Sequence, residues 1–186
     1  MRYFTDEQLG KLLDRMEVEG VLNNTIVVIT GDHGHSPELS AFCVLIAEGR
    51  LGKYVGTVFN ETVEHYDILN TLADIVGVPS EGFMQSGVGR SLKRKDSGGN
   101  RVVWANNPLR TKLAAVVGDM RLAYDTVSDA VALHNAKTDP QMTTNLFPSL
   151  SNEQKREWLD IREAGRHLDA YFKTRWEKKC ITKTKC

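Results

Sequence analysis

Apolar residues recur at helical spacing in the first twenty positions of the chain. Thr5 opens the sequence T-D-E-Q, which is typical of a capping box, and Gly20 is a natural stop for a helix. The apolar positions between them are Leu9, Leu12, Leu13 and Met16. This pattern predicts an amphipathic helix over residues 6–19 with one buried face.

Two later segments are apolar without any alternation. Residues 25–30 read TIVVIT and are β-branched throughout, and residues 41–47 read AFCVLIA. Such runs are typical of strands that are buried on both faces, as in a parallel sheet, and the second run would bury the thiol of Cys43. A helix followed by buried strands predicts an α/β fold.

A second amphipathic helix is predicted from the sequence HYDILNTLADIVG, which begins at His65. Its apolar stripe ends at Gly77 and Pro79, which are typical of a helix terminus. A surface or capping role is expected for His65. Residues 80–100 are rich in Gly, Ser and Lys and are therefore interpreted as a connector.

After residue 100 the pattern changes to short strand-like segments that are separated by turns. Four of them lie within residues 101–135, and Gly118-Asp119 has the composition of a tight turn between two of them. These segments predict a small antiparallel sheet.

The last part of the chain repeats a capping-box pattern at Ser151 and Gln154, which predicts a helix over residues 152–177. Its apolar positions are Trp158, Ile161, Leu168, Phe172 and Trp176. The chain is accordingly divided into an α/β portion (1–99), a small antiparallel-sheet subdomain (100–150), and a C-terminal helix with a basic tail (151–186).

Composition narrows the function classes. Hydrophobic residues make up 41% and charged residues 26% of the chain, and 24 basic residues balance 24 acidic ones. There is no basic surplus for nucleic acid, and no apolar run in this chain reaches the length of a membrane segment. Cys180 and Cys186 lie close together in the polar tail and could pair in an oxidising compartment.

Candidate chemistry begins where the TIVVIT segment ends. Asp32 and His33 follow it directly, and ligands in open α/β sheets bind at the carboxyl ends of strands. A carboxylate beside an imidazole can bind a divalent cation, and Gly31 and Gly34 would let the backbone turn tightly around it. Taken alone, the same residues also suit a polar turn with Asp32 capping the loop.

Four segments occur in an order that resembles the C-terminal half of sulfatases, in the alkaline phosphatase superfamily. They are NNTIVVITGDHG, YDILNTLADIVG, GRSL, and LHN followed by DP and NL, within about residues 5–150. The resemblance implies a partial alkaline-phosphatase-like α/β sheet flanked by helices, then a small antiparallel sheet and a C-terminal helix. Four ordered matches are more specific than any one of them.

The resemblance implies that Asp32 and His33 are metal ligands, usually of calcium in sulfatases, and of manganese or zinc in phosphate-transferring relatives. The implied activity is hydrolysis of small-molecule or glycan sulfate esters. His35 is a possible contact for a sulfate oxygen, or a solvated loop histidine. The alternatives are a phosphodiesterase or phospho-group transferase, and an inactive remnant that acts as a structural module.

Several family features are missing from this chain. The nucleophile motif, similar to C-x-P-S-R, does not occur in it, and the loop after Gly34 is short. We therefore expect a C-terminal fragment that is inactive alone and whose partner is the missing N-terminal half of the same domain. Family members are mostly secreted, lysosomal or membrane-facing, but no targeting segment is recognisable here, so the compartment stays open.

Overall fold

The computed structural model describes residues 2–32, 43–47, 49–59, 61–79, 89–94, 101–106 and 111–180. Its helices are α1 (Arg2–Val18), α2 (Tyr66–Val76) and α3 (Asn152–Glu177). Its strands are β1 (Ile26–Thr30), β2 (Cys43–Ala47), β3 (Val102–Asn106), β4 (Lys112–Val117), β5 (Met120–Asp125) and β6 (Val131–Asn135). The predicted α/β fold class, with its later antiparallel sheet and terminal helix, is confirmed, while the three-part division stays a prediction.

Helix α1 ends as predicted but begins earlier. Gly20 adopts a left-handed conformation with φ of 69° shortly after the helix ends at Val18. The start at Arg2 places Thr5 inside the helix, so the predicted capping box at Thr5 is wrong. The preceding Arg-Tyr-Phe residues can adopt helical geometry, and a local cap signal does not prevent a helix from extending past it.

Strands β1 and β2 form a two-stranded antiparallel sheet, in which Ile26 lies opposite Ala47 and Thr30 opposite Cys43. The expected parallel arrangement is therefore wrong. A parallel pair needs a crossover connection, usually a helix, and residues 31–42 carry no helical apolar pattern.

The burial predicted for these two strands is also wrong. Most of β1 is half-buried and Thr30 is exposed, and β2 is exposed at its first two residues. Cys43, expected to be a buried thiol, is exposed. An apolar run shows what a strand can bury, but actual burial depends on the elements that pack against its two faces, and most of β1 is only half-buried within the described structure.

Strands β3 to β6 form an antiparallel meander in chain order, as predicted. Gly118 takes a φ of 57° in the turn between β4 and β5. Ala115, Leu122 and Leu133 lie opposite one another in register, and all three side chains are fully buried. This row is the centre of the hydrophobic core.

Helix α3 covers that face of the meander. Both hydrogen bonds of the capping box between Ser151 and Gln154 are present, and Trp158 and Ile161 pack against the core. Trp176, one of the apolar positions of the predicted helix, is 71% exposed. A 26-residue helix is about 39 Å long, whereas a six-residue strand spans about 20 Å, so the last turns of α3 extend beyond the sheet.

A buried residue, Cys180, follows the C-terminal end of α3 and contacts its last turn. Cys180 is buried and disulfide-bonded, and its partner lies outside the described residues. The backbone N–H of Cys180 donates to the carbonyl of Arg175, which is buried in the last turn. No helix within the described ranges combines the length and apolar character that crossing a bilayer requires.

Gly165 allows α3 to approach the sheet closely. A Cβ atom at this position would lie 2.6 Å from Cζ3 of Trp104 and 3.1 Å from the hydroxyl of Tyr124. Both distances are shorter than ordinary van der Waals contact, and Tyr124 is buried at the sheet surface. The glycine therefore fixes how closely helix and meander pack.

We expect Gly165→Ala to destabilise the fold by about 1–3 kcal/mol, because the added methyl overpacks the contact with Trp104. The matched control is Gly10→Ala in α1, where an added Cβ meets no atom within 4 Å. That change should be neutral or stabilise by up to about 1 kcal/mol through helix propensity. Urea unfolding of both variants measures the difference, and equal stabilisation by the two substitutions would contradict this packing account.

Candidate functional site

The carboxyl end of β1 carries one of the two predicted metal ligands. Thr30 ends the strand, Gly31 follows it, and Asp32 is exposed directly beyond. Asp32 therefore follows a strand directly, as predicted, while its role as a metal ligand stays a prediction. His33 and His35 lie outside the described residues, so their roles also stay predictions.

His65 reaches this strand end from the start of α2. Its Nε2 atom lies 2.8 Å from the carbonyl oxygen of Gly31 and 3.2 Å from Oγ1 of Thr30. A carbonyl can only accept a hydrogen bond, so Nε2 is the donor in this contact. The ring therefore donates to the peptide group that leads into Asp32.

The sequence interpretation of His65 was incomplete. The residue does occupy the N-cap position of α2 and is exposed, but its side chain makes no capping hydrogen bond. The bond to Gly31 joins residues that are 34 positions apart. No local pattern marks such a contact, and only the fold brings the two segments together.

The start of α2 is held by the buried carboxylate of Asp67, which is 0% exposed. Its oxygens accept from the backbone N–H of Glu64 at 2.9 Å and of Arg90 at 2.9 Å. The guanidinium of Arg101 adds two further donors, at 2.8 and 2.6 Å. One carboxylate thus joins the entry to α2, the GRSL turn and the residue before β3.

The GRSL turn also docks on Thr71 of α2. The hydroxyl of Thr71 donates to the carbonyl of Asp67 in the same helix at 2.8 Å and accepts from the N–H of Leu92 in the turn at 3.0 Å. A Cβ atom at Gly89 would lie 2.2 Å from the carbonyl oxygen of Tyr66. Only glycine fits this approach, which gives a packing reason for the first residue of that motif.

Tyr66 connects the same helix to the meander. Its hydroxyl accepts from the N–H of Trp104 at 3.1 Å, and the guanidinium of Arg101 lies over its ring, 5.7 Å from the centroid. Burial raises the pKa of the Tyr66 phenol above its ordinary value. The hydroxyl therefore stays protonated at neutral pH and serves as a structural contact.

Cys43 lies opposite Thr30 at the same end of the two-stranded sheet. Although the residue is exposed as a whole, partial burial raises the pKa of its thiol, and a hydrogen bond from Thr30 opposes that rise. At neutral pH the sulfur is therefore a thiol and not a thiolate nucleophile.

The described part of this site supplies an exposed carboxylate at a strand end, supported by a histidine. Within the described ranges, no group of three or more His, Cys, Asp or Glu side chains is placed to hold a metal ion. A shallow depression of about 220 Å³, lined by Asn24, Ala47 and Arg50, lies at the opposite end of β1. It is separate from the Asp32 site.

The segment that contains Asp32, His65 and Asp67 matches a known family. The family model described as Sulfatase matches residues 1–78. The match agrees with the resemblance to sulfatases, and so to the alkaline phosphatase superfamily, found in the sequence.

Solved structures add a comparison of the fold. The protein BT4656, in complex with its substrate D-glucosamine-2-N,6-O-disulfate, is 19% identical, with a TM-score of 0.54, over 97% of this chain and 40% of that chain. A proposed sulfatase from Bacteroides thetaiotaomicron VPI-5482 is 20% identical, with a TM-score of 0.49, over 82% of this chain and 37% of that chain. The 2-O GAG sulfatase BT1596 is 21% identical, with a TM-score of 0.48 and the same coverages, 82% and 37%.

The likeness to BT4656 supports a shared fold, and this chain spans 37–40% of the length of the three solved proteins. None of the curated proteins compared with the chain matches it significantly.

The hydrogen bonds around Asp67 predict that Arg101→Ala lowers the stability of the fold by a large amount. The substitution leaves a fully buried carboxylate without its charge partner, which costs about 3–5 kcal/mol of stability. The matched control is Arg94→Ala, which removes an equally bidentate pair with Asp74 at 2.8 and 3.0 Å on the surface. Solvent screens that pair, so little change is expected. Urea unfolding tests both variants, and similar losses would argue against a special role for Asp67.

The raised pKa of Cys43 predicts slow alkylation despite exposure. The rate of reaction with iodoacetamide should reach half its maximum at a higher pH than the rate for free cysteine does, because the thiolate fraction at any given pH is reduced. Thr30→Val removes the hydrogen bond that lowers the pKa and should move the midpoint further upward. Mass spectrometry of the Cys43 peptide against pH, with free cysteine as the reference, measures this. A midpoint at or below that of free cysteine would be incompatible with the described surroundings.

Proposed function

We propose that this chain is part of a metal-dependent sulfate ester hydrolase in which Asp32 and His33 bind the cation. The observation that carries the proposal is the exposed carboxylate of Asp32 at the carboxyl end of β1, inside the segment that matches the sulfatase family.

The donor chemistry fits a calcium ion. A carboxylate is a hard oxygen ligand that calcium prefers, and an imidazole nitrogen beside it does not exclude calcium, although it would also suit manganese or zinc. Calcium takes about six to eight donors, so Asp32 and His33 would be joined by ligands from elsewhere in the protein. When bound, the cation would withdraw charge from a sulfate oxygen and favour an ionised nucleophile.

The residues of this chain would bind and orient. Asp32 supplies the carboxylate, and the β1–β2 ladder gives it a regular strand to project from. His35 is proposed to contact a sulfate oxygen. The nucleophile would come from outside this sequence, because no C-x-P-S-R motif occurs in it.

A sulfated glycan is the proposed substrate class. The support is the solved BT4656 complex with a glucosamine disulfate. The disulfide at Cys180 supports an oxidising compartment, which would agree with a secreted, lysosomal or membrane-facing enzyme.

The decisive experiment compares Asp32→Ala with Asp160→Ala in the natural protein that carries this chain. Asp160 is an exposed acid on α3, so its variant should retain activity. Asp32→Ala should reduce hydrolysis of D-glucosamine-2-N,6-O-disulfate at least about 100-fold and weaken calcium binding in calorimetry, because the cation loses a ligand.

The other outcomes separate the alternatives. Hydrolysis of 4-nitrophenyl phosphate without any sulfate ester hydrolysis would favour the phosphodiesterase or phosphotransferase reading. Full activity of Asp32→Ala would overturn the assigned ligand. If the unaltered protein hydrolyses neither the sulfate ester nor the phosphate ester, the inactive structural module is the function that remains.

A further inference from the structure

We propose that His65 is a positioning residue for the metal site: its Nε2–H holds the peptide group between Gly31 and Asp32, and so aims the Asp32 carboxylate. The inference rests on the proposed function, since it assigns a role toward the same cation. The contacts that carry it are Nε2 to the Gly31 carbonyl at 2.8 Å and Nε2 to the Thr30 hydroxyl oxygen at 3.2 Å.

The position of the bond explains its effect. The carbonyl of Gly31 and the nitrogen of Asp32 belong to one planar peptide group, so a hydrogen bond to that oxygen restrains the direction of the next residue. Glycine has more backbone freedom than any other residue. Without the His65 bond, the Gly31 carbonyl would lose its shorter hydrogen bond and keep the one from the Thr30 hydroxyl at 3.2 Å. The additional freedom of Asp32 would then have to be lost on metal binding, and that entropy would oppose it.

His65 itself stands on a rigid base. It lies between Glu64 and Asp67, and the N–H of Glu64 is bonded to the Asp67 carboxylate at 2.9 Å. That carboxylate is fully buried and also bonded to Arg101. Because the residues on both sides of His65 are held in place, its ring can restrain the carbonyl at the end of β1.

A packing role does not account for this contact. His65 is exposed, so its side chain contributes little buried apolar area. Groups that orient a metal ligand from behind typically alter metal affinity by about 10- to 100-fold when they are removed. Loss of His65 should therefore weaken metal binding with little change in melting temperature.

The test measures calcium affinity by isothermal titration calorimetry in the natural protein that carries this chain. His65→Ala should weaken binding about 10- to 100-fold. His65→Gln should restore most of the affinity, because the glutamine amide can place an N–H donor near the position of Nε2. His167→Ala, at an exposed histidine of α3, is the matched control and should bind as the unaltered protein does. Melting temperatures without calcium should agree among all four proteins.

Each result decides the matter. Equal calcium affinity in His65→Ala and the unaltered protein would overturn the inference while leaving the proposed function intact. A fall in affinity that His65→Gln does not restore, or that accompanies a lower melting temperature, would reduce His65 to a general structural role. Absence of calcium binding in the unaltered protein would overturn the proposed function and the inference with it.

Discussion

The rest of the described structure depends on the hydrogen bonds and the ion pair of the buried Asp67 carboxylate. A charge without exposure to water costs several kcal/mol unless donors surround it, and here two backbone N–H groups and the Arg101 guanidinium do so. Because these donors belong to the entry of α2, to the GRSL turn and to the residue before β3, the three segments must converge for the carboxylate to be satisfied. The α/β portion and the meander are joined by this requirement.

The same constraint reaches the candidate site. Asp67 holds the backbone before α2, that backbone carries His65, and His65 donates to the carbonyl that precedes Asp32. In the proposed metal site, the exposed Asp32 carboxylate would meet the ion, and His65, carried by the buried Asp67 network, would keep its direction. The close approach of Gly89 to the Tyr66 carbonyl supports that network, since a side chain there would push the turn away from α2.

Elements with strong local signals were predictable. Helix α2 ends at Gly77, the meander turns at Gly118, and α3 begins with the capping box of Ser151, each because a cap or turn is decided by neighbouring residues. Burial was not predictable in the same way. Cys43 and Trp176 belong to apolar patterns but are exposed, since burial depends on which other elements cover a residue.

Local order along the chain was enough to place Asp32 at the end of a strand and to indicate the sulfatase family, because strand endings and ordered motifs are short-range features. Pairing direction, the Asp67–Arg101 bond and the His65–Gly31 bond were decided by the tertiary structure. Each depends on residues far apart in sequence, and the two residues in each of these bonds are separated by 34 positions. A hydrogen bond between such distant residues leaves no periodic pattern in the sequence around them.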